Sequence, residues 1–369
     1  MTLSLYIARR FLRAFLMVAA TFWGILFLIE MVEKIRSFSA AKVGLAQAAL
    51  LAGLSVPASL YTILPLVMIL AAVALFLGLA RSSELVVIRA SGRSALRMLA
   101  APVVVALLLG VLTVAIGNPI VSATSKRYEE LAGRYRATGV QAVSIGQEGV
   151  WMRQGMGGDS AGEQAVIRAA RANLDATRLY DVTFLIVDPE RGPVRRIDAE
   201  EAVLTRGAWE LSKVKDWPLG SSTNPERDAT RADRLSLPSD LTAERIRDSF
   251  GTPSTVPIWQ LPGFIRGLEN AGFSARRHLV WFEMELAQPL VMAAMVLIAA
   301  GFTMRHSRLG RTGVMVLLAL AAGLGVFFLR NVAQVLGDNG QIPVALAAWA
   351  PPAIALMLAL ALILQEEDG

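Results

Sequence analysis

Apolar residues fall into long uninterrupted blocks, separated by one stretch in which apolar and polar positions alternate. A helix needs about 20 apolar residues to cross the roughly 30 Å hydrocarbon core of a bilayer. Phe11 to Met31, preceded by Arg9, Arg10 and Arg13, predicts a first span. It is too long for a signal peptide, and Glu30, Glu33 and Lys34 stand where a small-residue cleavage site would be. Val43 to Ala80 holds 38 residues without a charge. Its Pro57 and Pro65 predict an interfacial approach helix and then a span near Leu54–Leu79. A third span is expected near Leu99–Val121. Leu286–Met304 (with a start near Leu279), Thr312–Leu329 and Val344–Leu364 complete a count of six.

Between the third and fourth blocks the period changes to two. Val140–Ile145, Gly149–Arg153, Gln164–Arg168, Thr177–Val187, Val194–Ile197 and Glu201–Leu211 alternate apolar and polar residues. Turn signals separate them at Gly155–Gly158, Asp188-Pro189 and Arg191-Gly192-Pro193. The pattern predicts an antiparallel sandwich or jelly-roll. Residues 218–240 suggest a long loop or weak strand, and 258–273 a short helix with Gly272 near its end. Trp151, Trp209 and Trp217 suit the core or rim of such a sheet, or an outward lipid-binding patch.

Composition agrees with an integral membrane protein: an all-α bundle of six transmembrane helices with an inserted β domain. Of 369 residues, 54% are hydrophobic and 18% charged, against about 25% charged in soluble domains. Three parts follow: residues 1–121 with spans one to three, 122–278 as the β domain, and 279–369 with spans four to six. The middle part holds 22 of the 36 Lys and Arg and 21 of the 30 Asp and Glu. Its near-neutral mixture argues against nucleic acid as a partner, despite the net charge of +6. With no cysteine, thiol chemistry is excluded. Arg81, Arg89, Arg93 and Arg97 between spans two and three, and Arg305, Arg308 and Arg311 between spans four and five, join Arg9 and Arg10 on one side. By the positive-inside rule that side is the cytoplasm, with both termini there and the β domain outside.

Catalytic signatures are missing. There is no GxxxxGK[ST], HExxH or GxSxG. The two histidines, His278 and His306, fall on opposite sides of the expected membrane. Glu283, Glu285 and Arg330 lie near expected span ends, so coupling to an ion gradient is weakly supported. The chain therefore reads as a non-catalytic subunit without cofactor or metal, powered by a separate ATPase. The segment 82–92 offers a docking helix: Ser82 or Ser83 as N-cap, Glu84 at the positive end, and Gly92 as terminator. Leu85, Ile88 and Arg89 give it an apolar face with charged edges. The same pattern suits a helix lying on lipid. At the other end of span one, Lys34, Arg36 and Lys42 fit either pairing with Glu30 and Glu33 or a basic lip for an anionic substrate.

Several segments together resemble the lipopolysaccharide export permease family, LptF/LptG, on its LptG side. They are Tyr6-Ile-Ala-Arg-Arg10, Met31-Val-Glu-Lys-Ile-Arg36, Arg81 to Gly92, Ala132-Gly-Arg-Tyr-Arg-Ala137, Glu148 to Arg153, Gln288-Pro289, Met304 to Gly310 and Gly340 to Pro343. The resemblance implies a multi-pass inner-membrane protein with a periplasmic β-jelly-roll. It also implies a related LptF-type permease, two LptB-type ATPase subunits using ATP and Mg, an LptC-type anchored protein and an LptA-type bridge. Ser83, Glu84, Leu85, Ile88, Arg89 and Gly92 would then couple to the ATPase. Glu33, Lys34, Arg36, Arg134 and Arg136 would meet the lipid head group, as charge-assisted contacts to phosphates or acidic sugars. Two other readings are another ABC-type lipid or lipoprotein permease, and a membrane-anchored envelope sensor or scaffold.

Overall fold

The computed structural model describes residues 2–38, 44–82, 84, 95–135, 143–146, 149–155, 163–173, 177–188, 191–220, 223–239, 241, 252–270, 274–304 and 312–367. The chain divides into two compact units. One comprises Met1–Arg136, Ser254–Trp259 and Arg276–Gly369, and the other Ala137–Pro253 and Gln260–Ala275.

In the first unit α1 (Thr2–Ser37) and α2 (Leu45–Arg81) are followed by a third span built in three pieces: α3 (Ala95–Leu112), a π-turn (Thr113–Gly117) and α4 (Asn118–Tyr135). Beyond the β unit come α6 (Arg276–Thr303), α7 (Thr312–Asp338) and α8 (Val344–Glu367). Among the described residues, six helical segments are long and apolar enough to cross a membrane, as the charge-free blocks led us to expect. The central pair is α2 and α6. Val67, Met68, Ala72 and Phe76 of α2 pack with Met292, Met295, Val296 and Ala299 of α6, all essentially inaccessible. By contrast α1 and α7 keep large apolar side chains such as Met17, Leu28, Leu317 and Phe328 exposed, a surface suited to lipid or another apolar partner.

Two expectations are corrected here. The second span is not an approach helix plus a separate span: α2 continues through both Pro57 and Pro65. Each proline removes one helical hydrogen bond, a loss that packing and local adjustment offset within a membrane bundle. Likewise, the boundary expected at residue 122 falls inside α4, which runs on to Tyr135. The charges beyond Val121 belong to a helix extension whose Ala132 is buried against Phe38 and Leu51.

The second unit is one seven-stranded antiparallel sheet: β1 (Val143–Gly146), β2 (Gly149–Gly155), β3 (Gln164–Ala172), β4 (Arg178–Asp188), β5 (Gly192–Thr205), β6 (Ala208–Pro218) and β7 (Thr230–Pro238), with α5 (Leu261–Asn270) after it. Neighbours in the sheet are neighbours in sequence, so the described strands form a meander. The Greek-key crossings of a strict jelly-roll are not among them.

What the sheet shares with a roll is its curvature. Strands lie about 4.8 Å apart, so β2 and β6 would be about 19 Å apart in a flat sheet. Yet Trp209 Nε1 of β6 donates to Gln154 Oε1 of β2 at 3.3 Å. Ser239 Oγ, just after β7, donates to the same oxygen at 2.8 Å. Phe184 of β4 meets Trp209 edge-on, with ring centroids 6.2 Å apart. The sheet thus wraps its inner face around Trp209, Phe184, Ile167 and Leu211. Trp217 instead lies on the outer surface, under Arg196 and Lys215, and Trp151 is exposed. Residues 230–238 form an edge strand whose mostly exposed positions hide its alternation.

Candidate functional site

Span one carries candidate chemistry at both ends. At its C-terminal end the helical i,i+4 spacing sets Glu30 and Lys34 on one face. Lys34 Nζ lies 3.0 Å from Glu30 Oε2. Ser59 Oγ of α2 donates to Glu30 Oε1 at 2.7 Å, and the ammonium sits 4.8 Å from the Tyr128 ring centroid of α4. Lys34 is therefore spent internally, tying α1 to α2 and α4. Glu33 and Arg36, on the other face, are exposed. The end of α4 is drawn to the same place by Phe38, which meets Tyr135 edge-on at 6.1 Å. Arg134 belongs to that end of α4. Its side chain, Arg136 and Lys42 lie outside the described residues.

Removing one member of the Glu30–Lys34 pair leaves a largely desolvated charge without its partner. Removing both does not. We expect Lys34→Met to lower the stability of the purified protein by about 1–3 kcal/mol, and Glu30→Gln/Lys34→Met to be milder than either single change. Apparent melting temperatures of the four proteins in detergent check this.

At the N-terminal end of α1, Arg10 Nη1 contacts both oxygens of Glu84 at 2.8 and 2.9 Å. Tyr6 Oη donates to Glu84 Oε2 at 3.1 Å and accepts from Arg10 Nη1 at 2.9 Å. Hydrogen bonds from Arg10 first, then from Ser82 and Tyr6, hold the Glu84 carboxyl below the usual carboxylate range. Gly78 makes room for this bridge, since a Cβ there would stand 3.3 Å from Arg10 Nη2. Beside it Leu5, Tyr6, Arg9, Arg10 and Arg13 line an open cavity of about 500 Å³. Ser82 does not begin a helix; it terminates α2, its backbone N–H bonded to Gly78 and its hydroxyl donating to the same carbonyl. Ser83, Leu85, Ile88, Arg89 and Gly92 lie outside the described residues.

Three apolar helical segments precede the sheet in the sequence and three follow it, and charged residues mark both ends of the first helix. Over residues 5–365 the sequence matches the family described as lipopolysaccharide export system permease LptF/LptG. The chain belongs to the LptF/LptG family. It is 25% identical over 376 residues to the lipopolysaccharide export system permease protein LptG of Haemophilus influenzae, covering 100% of this chain and 99% of that protein. To LptG of Escherichia coli K12 it is 27% identical over 326 residues, covering 85% and 84%.

Within this LptF/LptG chain the structure also makes a pairing that the sequence did not reveal. Glu285 of α6 is fully buried, not near a span end, and Tyr61 of α2 donates its hydroxyl to it. The two are 224 residues apart, and a tyrosine within an apolar run carries no signal of such a pairing. Buried Asn118 adjoins them. Among the described residues no group of three or more His, Asp or Glu is placed to hold a metal ion.

Proposed function

We propose that this chain is the LptG-type permease subunit of an exporter that extracts lipopolysaccharide from the inner membrane and passes it to a periplasmic bridge. The observation that carries this reading is the family match over residues 5–365, combined with three spans on either side of an inserted β unit. Its termini face the cytoplasm and the β unit faces the periplasm. Two LptB-type subunits bind ATP and Mg and hydrolyse the nucleotide. An LptF-type permease, an LptC-type anchored protein and an LptA-type bridge complete the path.

In this reading Arg36, Arg134 and Arg136 meet phosphates or acidic sugars of the head group, with Glu33 at their margin. Lys34 serves as a strut beneath them. Extraction is costly, at about 0.8 kcal/mol per CH₂ leaving an apolar phase, which calls for an external energy source. Glu84 opens the coupling segment that receives it, together with Ser83, Leu85, Ile88, Arg89 and Gly92. Through Arg10 and Tyr6 a push on Glu84 reaches span one directly.

Native mass spectrometry of the tagged protein, drawn from gently solubilised membranes, tests the reading. The expected particle holds one copy of this chain, one related permease and two ATPase subunits. A stable, active particle lacking any ATPase would overturn it.

A further inference from the structure

The segment 254–259 runs against the third span and is fastened to it three times. Ser122 Oγ donates to the Thr255 carbonyl. The Ile258 N–H donates to Asn118 Oδ1 at 2.9 Å. Trp259 Nε1 donates to the Ala115 carbonyl at 3.2 Å. Positions 115, 118 and 122 share one helix face by their spacing of three and four. As the segment ascends, the helix positions descend, so the two lie antiparallel like the halves of a clasp. One fastening, Ala115, lies inside the π-turn Thr113–Gly117, a rare irregularity that recurs at functional sites.

Behind the clasp stands the buried polar group. Asn118 adjoins the Tyr61–Glu285 pair, and Tyr61 also packs on the π-turn, its ring 3.6 Å from where a Cβ on Gly117 would be. One Glu285 oxygen and the Gln288 amide oxygen have no hydrogen-bond partner among the described residues. Arg330 of α7 acts electrostatically on the same carboxylate. An apolar brace would hold two segments together at less cost than buried ionisable groups left partly unsatisfied. Such groups inside spans mark working parts.

We propose that Asn118 is a positioning residue for transport, with the Tyr61–Glu285 pair orienting it: the clasp between 254–259 and the third span opens and recloses during each cycle. This rests on the lipopolysaccharide-export reading, and the test separates the two. The chain has no cysteine of its own, so Ala115→Cys and Trp259→Cys can be joined by a reducible thiol linker about as long as the indole it replaces. ATP hydrolysis and lipopolysaccharide release are then measured on the full complex in proteoliposomes.

The bridged complex is expected to keep hydrolysing ATP while losing most lipid release, and reductant restores it. In the same assay Asn118→Ala lowers lipid released per ATP, although the complex assembles. Unchanged release after bridging, or release and hydrolysis falling in proportion, would mark the clasp as a static brace and overturn the proposal. If the parent complex itself releases no lipopolysaccharide, the export reading fails and the proposal falls with it.

Discussion

Trp209→Ala is expected to cost the β unit about 3–5 kcal/mol, the range for emptying a fully buried tryptophan site. Three losses combine. The inner face loses its largest inaccessible side chain, Phe184 loses its edge-on partner, and the Gln154 amide oxygen loses the indole donor that it shares with Ser239. Because Trp209 links β6 to β2 across the wrapped sheet, the damage is not confined to its own strand. Hydrogen exchange on the full-length protein should show protection lost across β2, β4 and β6 together by about two orders of magnitude or more. Trp209→Phe retains much of the volume and removes the indole donor, so it should cost distinctly less. Loss restricted to β6 would contradict the closure described here.

A second large effect is expected at Gly110. A Cβ there would lie 2.5 Å from Pro289 Cα and 3.0 Å from its Cβ. The obstacle is the backbone of α6, which cannot swing aside as a side chain can. Close approach through small residues is a standard way for membrane helices to pack. Gly110→Val must therefore separate α3 from α6, at about 1–3 kcal/mol or more. Gly24→Ala is the matched control, because nothing lies within 4 Å of a Cβ at that helical position. It should be neutral or slightly stabilising by helix propensity. Apparent melting temperature and yield of the purified protein check both. A Gly110→Val protein as stable as the parent would refute the contact.

The six spans were legible because charge-free runs of bilayer length have few other uses in a protein. The inserted sheet was legible from its period of two. The boundaries were less so, for identifiable reasons. Charges in α4 resemble those of a soluble segment, although the helix of the third span simply extends to Tyr135. Prolines 57 and 65 signal a break in water and only a local adjustment in a bundle. At the first site, the i,i+4 relation of Glu30 and Lys34 made pairing visible in sequence. Ser59 and Tyr128, which complete the setting, come from other helices. The Arg10–Glu84 bridge and the Tyr61–Glu285 pair were hidden altogether. Both join residues many turns apart, and no local pattern encodes which helices become neighbours.

The sequential order of the sheet also governs how the protein is made. Every strand pairs with the one synthesised just before it, so β1 to β7 can zip hairpin by hairpin as they emerge, with little loop-closure entropy at each step. The long-range exception is the seam at Gln154, which must wait for Trp209 and Ser239. Both precede α6 in the chain. The β unit can therefore close its interior before the second half of the membrane bundle has been synthesised.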